Sequence, residues 1–278
     1  MTTQDLSYYR PVVNNDGFVL LFPSVFSNAD LLQSSNPVNP YAQSAYQQFP
    51  LGTKAIQGDR AWRYCKNSST ALTVVGSALQ APAAIHTDCT EDVVVAASEG
   101  ETYAIGSYDI TITSTANIAA APWSTKNGAA EGYIMINGGT GIGQCRKIKG
   151  HTAAVSTNTF IVYVHDAWNV APIAGDSECG IIENPYASVV VAAALTTIPI
   201  GVNPIAVTAS YYFWCQTGGP AAVATNAAIP VGTMAICGTT SGKVDPMAAF
   251  TTETIMGYML TPGIKNTDHA IIYLILDT

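Results

Sequence analysis

The sequence predicts an all-β protein whose barrel- or sandwich-like body contains two β units and follows an extended N-terminal arm. Short segments of apolar or alternating residues recur along the chain, and Gly, Pro and Asn separate them in the manner of strands joined by turns. No long window has the 3.6-residue period of an amphipathic helix. The N-terminal segment lacks both periods but is rich in proline, which favours extended backbone.

The arm is predicted at residues 1–50. Its many aromatic side chains are unusual for a solvated, disordered tail. We therefore expect the arm to pack on the body of its own chain or on another subunit, with aromatic side chains as anchors. The anchors expected to contact a partner are Tyr8, Tyr9, Phe18, Tyr41, Tyr46 and Phe49.

The body shows two kinds of strand pattern. The segment YDITIT, residues 108–113, alternates Tyr108, Ile110 and Ile112 with polar residues, which predicts a strand with one buried face. The segments TIMGYML (254–260) and AIIYLIL (270–276) are apolar on both faces. That pattern predicts central strands.

A weak similarity between two parts of the sequence suggests how the body is divided. WRYCKN followed by VVGSALQAP resembles the later YFWCQT followed by PVGTMAI. Coincidence and a duplicated hairpin explain this similarity equally well. We expect residues 51–105 and 183–278 to form one main barrel-like domain, with residues 106–182 inserted as a second β unit.

The glycine-rich stretch NGGTGIGQCRKIKG, residues 137–150, has two possible readings, a phosphate-binding loop and a turn between strands. A Walker loop needs Gly-Lys followed by Ser or Thr, whereas Lys147 precedes Ile148. A dinucleotide fingerprint needs a helix after the glycines, but residues 144–149 have a strand pattern. The stretch therefore predicts a hairpin with strands at 131–136 and 144–149.

Charge limits the classes of partner. Asp, Glu, Lys and Arg make up 11% of residues, against about 25% in ordinary soluble domains. The net charge of −8 repels a phosphate backbone, so no nucleic-acid partner is expected. No apolar run is long enough to cross a membrane, and the first residues lack the pattern of a signal peptide. We expect no membrane partner and no export by the chain itself.

Few residues have the spacing that catalysis or metal binding requires. The six cysteines form no CxxC pair and are expected to be buried free thiols. The best local metal cluster is His86, Asp88 and Cys89, although a solvated loop explains it better. His165 and Asp166 are adjacent and point to opposite faces of a strand. We expect no enzyme activity, no metal and no cofactor.

The four tryptophans fall into two classes. Trp62 and Trp214 lie within apolar strand patterns and are expected in the core. Trp123 and Trp168 follow loop-like segments and are candidates for a contact surface. Such a surface is what a sugar-binding appendage needs.

Several segments in order resemble a family of virion structural proteins of tailed bacteriophages, over roughly residues 50–278. The most specific are GDRAWRY (58–64), EGYIMINGGTGIGQCRKIKGH (131–151) and YFWCQTGGP (212–220). Members are similar to capsid decoration, or cement, proteins, which sit on the outer face of the head and tie capsomers together, often as trimers. The cysteines of WRYC and FWCQ and the aromatic arm are not part of the family pattern.

The resemblance implies a major capsid protein as partner, a homotrimer or other homo-oligomer, and a place on the virion head after synthesis in the host cytoplasm. The arm would then lie across a neighbouring subunit and add strands to its sheet edge. The alternative is a tail or receptor-binding appendage, in which Trp123 and Trp168 contact sugars.

Overall fold

The computed structural model describes residues 12–13, 19–21, 38–82, 93–95, 103–114, 122–154, 159–193, 198–248, 253–264 and 268–277. These residues contain strands and no helix, so the predicted all-β class is confirmed. The chain divides into two compact units. Unit 1 comprises Met1–Pro82 with Pro185–Thr278, and unit 2 comprises Ala83–Asn184.

Nineteen strands lie in the described residues. The first six are β1 (Val12–Val13), β2 (Val19–Leu21), β3 (Gln43–Ser44), β4 (Lys54–Gln57), β5 (Arg60–Lys66) and β6 (Ala78–Gln80). Unit 2 contains β7 (Val93–Val95), β8 (Asp109–Ser114), β9 (Tyr133–Gly138), β10 (Cys145–His151), β11 (Thr159–Val164) and β12 (Glu178–Ile182). The chain then returns to unit 1 with β13 (Val190–Val191), β14 (Pro199–Val202), β15 (Tyr212–Ala224), β16 (Met234–Cys237), β17 (Val244–Pro246), β18 (Ile255–Met259) and β19 (His269–Ile275).

Unit 1 is an antiparallel sheet with the order β1-β2-β4-β5-β15-β19-β18-β16-β17, to which β3, β6, β13 and β14 pair off the main path. Strand β15 is the longest and has two main partners. Its first half pairs with β5, from Tyr212 opposite Lys66 to Gly218 opposite Ala61. Its second half pairs with β19, from Gly218 opposite Ile275 to Ala224 opposite His269.

A glycine lies where β15 passes from one partner to the other. Gly219 has φ of 75°, in the left-handed region that side chains rarely adopt. A Cβ at this position would lie 2.0 Å from the carbonyl oxygen of Asp59, in the turn between β4 and β5. Both the backbone conformation and the close approach therefore require glycine.

Aromatic side chains fill one part of the unit 1 core. The ring of Tyr64 lies 5.3 Å from that of Phe49 and 5.1 Å from that of Trp214. Trp62 and Trp214 are buried, as the sequence predicts. Such edge-to-face pairs add about 0.5–1.5 kcal/mol each to the burial of the rings.

An ion cluster closes the end of β19 against β4 and β5. The carboxylate of Asp277 accepts hydrogen bonds from Nε and Nη2 of Arg63 and pairs with Lys54 Nζ at 3.1 Å. Burial by itself would raise the pKa of Asp277, but the hydrogen bond and charge of Arg63, followed by those of Lys54, hold it below its ordinary value. Removal of one partner would leave the other charge partly buried and unpaired, which is strongly unfavourable.

Unit 2 is a closed barrel with the strand order β10-β11-β8-β7-β12-β9. Alternate residues of its strands point inward, and Ile110, Ile112, Ile134, Ile136 and Ile148 are fully buried among them. The glycine-rich stretch is the predicted hairpin of β9 and β10. Asn137 and Gly138 lie in β9 rather than in the turn, and Gly139, Gly141 and Gly143 in the turn have positive φ.

Two features differ from the predicted organisation. The inserted unit begins at Ala83 rather than at residue 106, because β7 pairs with β8 and β12 of the barrel. The closed barrel is the insert, and the main unit is a sheet. In the predicted arm, β1 pairs with β2 and β2 with β4, so these strands extend the sheet of their own chain, which is one of the two positions expected for the arm.

We expect Gly219→Ala to lower the free energy of unfolding of unit 1 by about 3 kcal/mol or more, because the strand must shift away from Asp59. The control is Gly232→Ala, which has φ of 79° but no atom within 4 Å of the added Cβ. It carries only the backbone strain, about 1–2 kcal/mol. Urea unfolding followed by tryptophan fluorescence measures both, and equal losses would contradict the close-approach argument.

Candidate interaction surfaces

An uncharged apolar surface covers the outward side of three strands in unit 1. Met234, Tyr258, Leu260, Ile271 and Ile275 each expose about two fifths of their area, and Tyr273 is half-buried. We call these six residues the apolar sheet face. Large apolar side chains that share one exposed face usually mark a contact with another molecule.

The strand register makes this face continuous. Tyr258 of β18 lies opposite Met234 of β16 on one side and Tyr273 of β19 on the other. The rings of Tyr258 and Tyr273 stack with centroids 5.2 Å apart. A second row begins where the N–H of Leu260 donates to the carbonyl of Ile271 at 2.8 Å.

Strand β15 continues both rows without a charge. Pro220 lies opposite Tyr273, and Ala222 lies opposite Ile271. The other face of β19 points inward, where Ile272 and Leu274 are fully buried. The sequence correctly predicts that β18 and β19 are interior strands of their sheet. Their apolar character on both faces arises because one face forms the core and the other forms this surface.

The aromatic residues predicted to contact a partner differ in their exposure. Tyr41 and Tyr46 expose 59% and 82% of their area, so both are available to a partner. Phe49 is buried in the core of unit 1, because its ring packs against Tyr64 and Trp214. Tyr8, Tyr9 and Phe18 lie outside the described residues.

Trp123 and Trp168 do not form an exposed surface. Both rings are buried in the core of unit 2. Trp123 packs against His151 at 5.1 Å between centroids, and the Arg146 guanidinium lies 5.6 Å from the centroid of Trp168. The loop-like sequence around each indole suggested exposure, whereas both indoles belong to the buried core of unit 2.

Unit 2 has a surface cleft of about 550 Å³. The aromatic, polar and basic side chains that line it are those of Tyr108, Lys126, Asn127, Lys149, Tyr163 and His165, and we call it the tyrosine–lysine cleft. Tyr108 and Tyr163 expose 57% and 41% of their area. The sequence placed Tyr108 on the buried face of its strand, but β8 begins at Asp109 and leaves Tyr108 outside the alternation.

A buried histidine holds one wall of the cleft in place. The N–H of Asn127 donates to the carbonyl of His151 at 3.0 Å, and the N–H of His151 donates back to Asn127 Oδ1 at 2.9 Å. Nε2 of His151 accepts from the N–H of Ala129, so Nδ1 carries the proton and donates to the carbonyl of Thr152. The segment that carries Lys126 is therefore fixed beside β10, which carries Lys149.

The cleft is positively charged in an acidic chain. Among the described residues, neither Lys126 nor Lys149 forms a salt bridge. Burial lowers the pKa of His165, the charges of Lys147 and Lys149 lower it further, and Asp166 opposes them. The same charges that disfavour protonated His165 favour an anion at this place.

The structure also describes part of the metal and cysteine candidates considered from the sequence. Among the described residues, no group of three His, Cys, Asp or Glu side chains is placed to hold a metal ion, and His86, Asp88 and Cys89 lie outside them. The described cysteines are free, and all except the exposed Cys145 are buried. Within the described part of the chain, no helix has the length and hydropathy to cross a membrane.

Comparisons of the chain with family models, with curated proteins and with solved structures find no match. What the protein binds is therefore inferred from its exposed residues and their chemistry. Two surfaces stand out on that basis, the apolar sheet face of unit 1 and the tyrosine–lysine cleft of unit 2.

The stability of unit 2 is expected to fall as the pH drops. Burial lowers the pKa of His151, and the hydrogen bond to Thr152 only partly opposes it. The unfolded chain therefore takes up this proton first, near pH 6.5, and His151 contributes a loss of up to about 1.4 kcal/mol between pH 7.5 and pH 5.5.

His151→Gln tests this expectation, because glutamine can accept from Ala129 and donate to Thr152 without titrating. Unfolding free energies measured at both pH values should show a smaller loss for the variant than for the wild type. His165→Gln measures separately the contribution of the half-buried histidine of the same unit, whose pKa burial also lowers. An identical pH dependence in wild type and His151→Gln would contradict the assignment.

Proposed function

We propose that the protein is a virion structural protein of a tailed bacteriophage, and that it acts by binding rather than by catalysis. In this proposal it decorates the outer face of the head and stabilises the lattice through contacts with the major capsid protein. The apolar sheet face is the observation that carries the proposal. This face has the apolar, uncharged composition that permanent protein–protein interfaces have.

The physics of stable interfaces supports this use of the face. The centres of permanent interfaces are apolar, rich in Tyr and Met, and poor in charge. Met234, Tyr258 and Tyr273 form one row with that composition, and β15 extends it without a charge. The 11% of charged residues in the whole chain is consistent with a subunit that covers part of its surface in an assembly.

The segments that carry the phage resemblance have structural roles in the fold. GDRAWRY forms the turn after β4 and most of β5, and YFWCQTGGP forms the first part of β15. The two meet where Gly219 approaches the carbonyl of Asp59. EGYIMINGGTGIGQCRKIKGH forms the hairpin of β9 and β10 in the barrel. A resemblance in such segments supports a shared fold, and the decoration role is the function that the resemblance implies.

The pairing of β1 and β2 changes the role that this proposal gives to the arm. Strands β1 and β2 extend the sheet of their own chain, so addition of these strands to a neighbour would require them to exchange partners. The exposed Tyr41 and Tyr46 remain the arm residues best placed to reach a neighbouring subunit or the capsid. A homotrimer or other homo-oligomer on the head remains the expected assembly.

The alternative, a tail or receptor-binding appendage, relied on Trp123 and Trp168 as sugar contacts. Both indoles are buried, so this form of the alternative lacks its platform. The tyrosine–lysine cleft is the feature of the described chain that favours a ligand-binding role instead.

A double variant of the apolar sheet face tests the proposal. Tyr258→Asp with Ile271→Asp places two carboxylates at the centre of the face and is expected to weaken head binding by about a hundredfold or more, because buried unpaired charges are strongly unfavourable. Co-sedimentation with phage heads that lack the protein measures the binding. Electron microscopy of the bound particles locates the density.

The matched control is Ile105→Asp with Ile142→Asp, which changes two residues of unit 2 that are 71% and 68% exposed. Thermal unfolding verifies that both double variants are folded. Wild-type protein that binds the tail, or that binds no part of the particle, would refute the proposal. Equal binding by the face variant and the control would move the contact to another surface.

A further inference from the structure

We propose that the tyrosine–lysine cleft is a binding site for an acidic saccharide, whose carboxylate pairs with Lys126 and Lys149 while its sugar ring packs on Tyr163 or Tyr108. The site lies within unit 2 and does not depend on the head-binding proposal. Its volume of about 550 Å³ falls within the range of small-ligand sites, about 300–1,000 Å³.

Four chain segments bring the cleft residues together. Gly150 of β10 pairs with Tyr163 of β11, next to Lys149. The N–H of Val164 donates to the carbonyl of Tyr108 at 2.8 Å, which places the second tyrosine beside the end of β11. The pairing of Asn127 with His151 adds the segment that carries Lys126.

Close packing fixes this geometry before any ligand binds. A Cβ on Gly150 would lie 2.5 Å from Oδ1 of Asn127, so the segment rests directly on the strand. Asn127 itself has φ of 60°, a conformation that asparagine tolerates better than most residues. A preformed site loses little conformational entropy on binding.

The charges favour a small anion over a nucleic acid. Lys126 and Lys149 have no carboxylate partner among the described residues, and Lys147 lies close enough to His165 to affect its pKa. Carboxylates near the cleft include Asp109, which lies opposite Tyr163 in the strand register, and Asp166. A long phosphate backbone would meet the rest of a chain whose net charge is −8. A single carboxylate is attracted without that repulsion.

The rings and the barrel favour a saccharide over an acidic peptide. Extended peptides usually bind by adding a strand to an open sheet edge. The six strands of the barrel close on one another and leave no such edge. Two exposed tyrosine rings provide flat apolar surfaces with polar edges, which suit a sugar ring that has apolar faces and peripheral hydroxyls.

Titration calorimetry of the full-length protein tests the proposal with digalacturonate as the probe and digalactose as its neutral counterpart. Digalacturonate should bind saturably. The affinity for digalactose should be lower by at least about tenfold, because digalactose cannot form the charge-assisted hydrogen bonds. Raising NaCl from about 0.05 M to about 0.5 M should weaken only the acidic ligand, since exposed charges are screened.

Three variants locate the site. Lys149→Gln and Lys126→Gln should each lower the affinity for digalacturonate by about fivefold or more and leave the affinity for digalactose unchanged. Tyr163→Ala should weaken both ligands. The controls are Lys66→Gln, which changes a lysine beside Tyr212 in unit 1, and Tyr46→Ala, which removes a tyrosine that is 82% exposed. Neither control should alter binding.

The resonances of His165 give an independent readout. A bound carboxylate near Lys149 should raise the pKa of His165 in an NMR titration, because it offsets the positive charges that lower it. The proposal is overturned if digalacturonate shows no saturable binding or if the cleft variants bind as the wild type does. It is also overturned if a glutamate-rich peptide binds the cleft more tightly than digalacturonate does.

Discussion

The passage of β15 between its two partners is the constraint on which unit 1 depends. One strand must follow β5 and then β19, and it does so at Gly218 and Gly219. The turn after β4 occupies the space that a side chain at residue 219 would need. The ion cluster of Asp277, Arg63 and Lys54 then fixes the end of β19 beside β4 and β5. The register of β19 follows from these contacts.

That register decides which side chains of β19 are exposed. Because successive residues alternate between faces, fixing Ile272 and Leu274 in the core necessarily turns Ile271, Tyr273 and Ile275 outward. The neighbouring β18 adds Tyr258 to the same face. An ordinary half-exposed strand would carry polar residues at these positions. The apolar residues there add nothing to the core of the chain, and this supports their assignment to a contact with another molecule.

Unit 2 differs from unit 1 because its strands form a closed barrel. Closure of the barrel pairs each of its six described strands on both sides, so none of these strands offers a free edge to another chain. Recognition is left to side chains on the outside and on the connecting segments. Buried His151 couples the two roles, because its ring packs on Trp123 inside while its backbone holds Asn127 and the lysine-bearing segment outside. The tryptophans stabilise the barrel, and the tyrosines remain exposed at the cleft.

The sequence by itself determined the all-β class, the glycine hairpin and the burial of Trp62 and Trp214, because period, turn residues and apolar runs are local properties. It did not determine that Trp123 and Trp168 are buried, that Tyr108 is exposed, or that one face of β18 and β19 is uncovered. Alternation shows which residues share a face but not what covers that face. The cleft likewise unites residues from distant segments, and their proximity exists only after strand pairing and barrel closure bring those segments together.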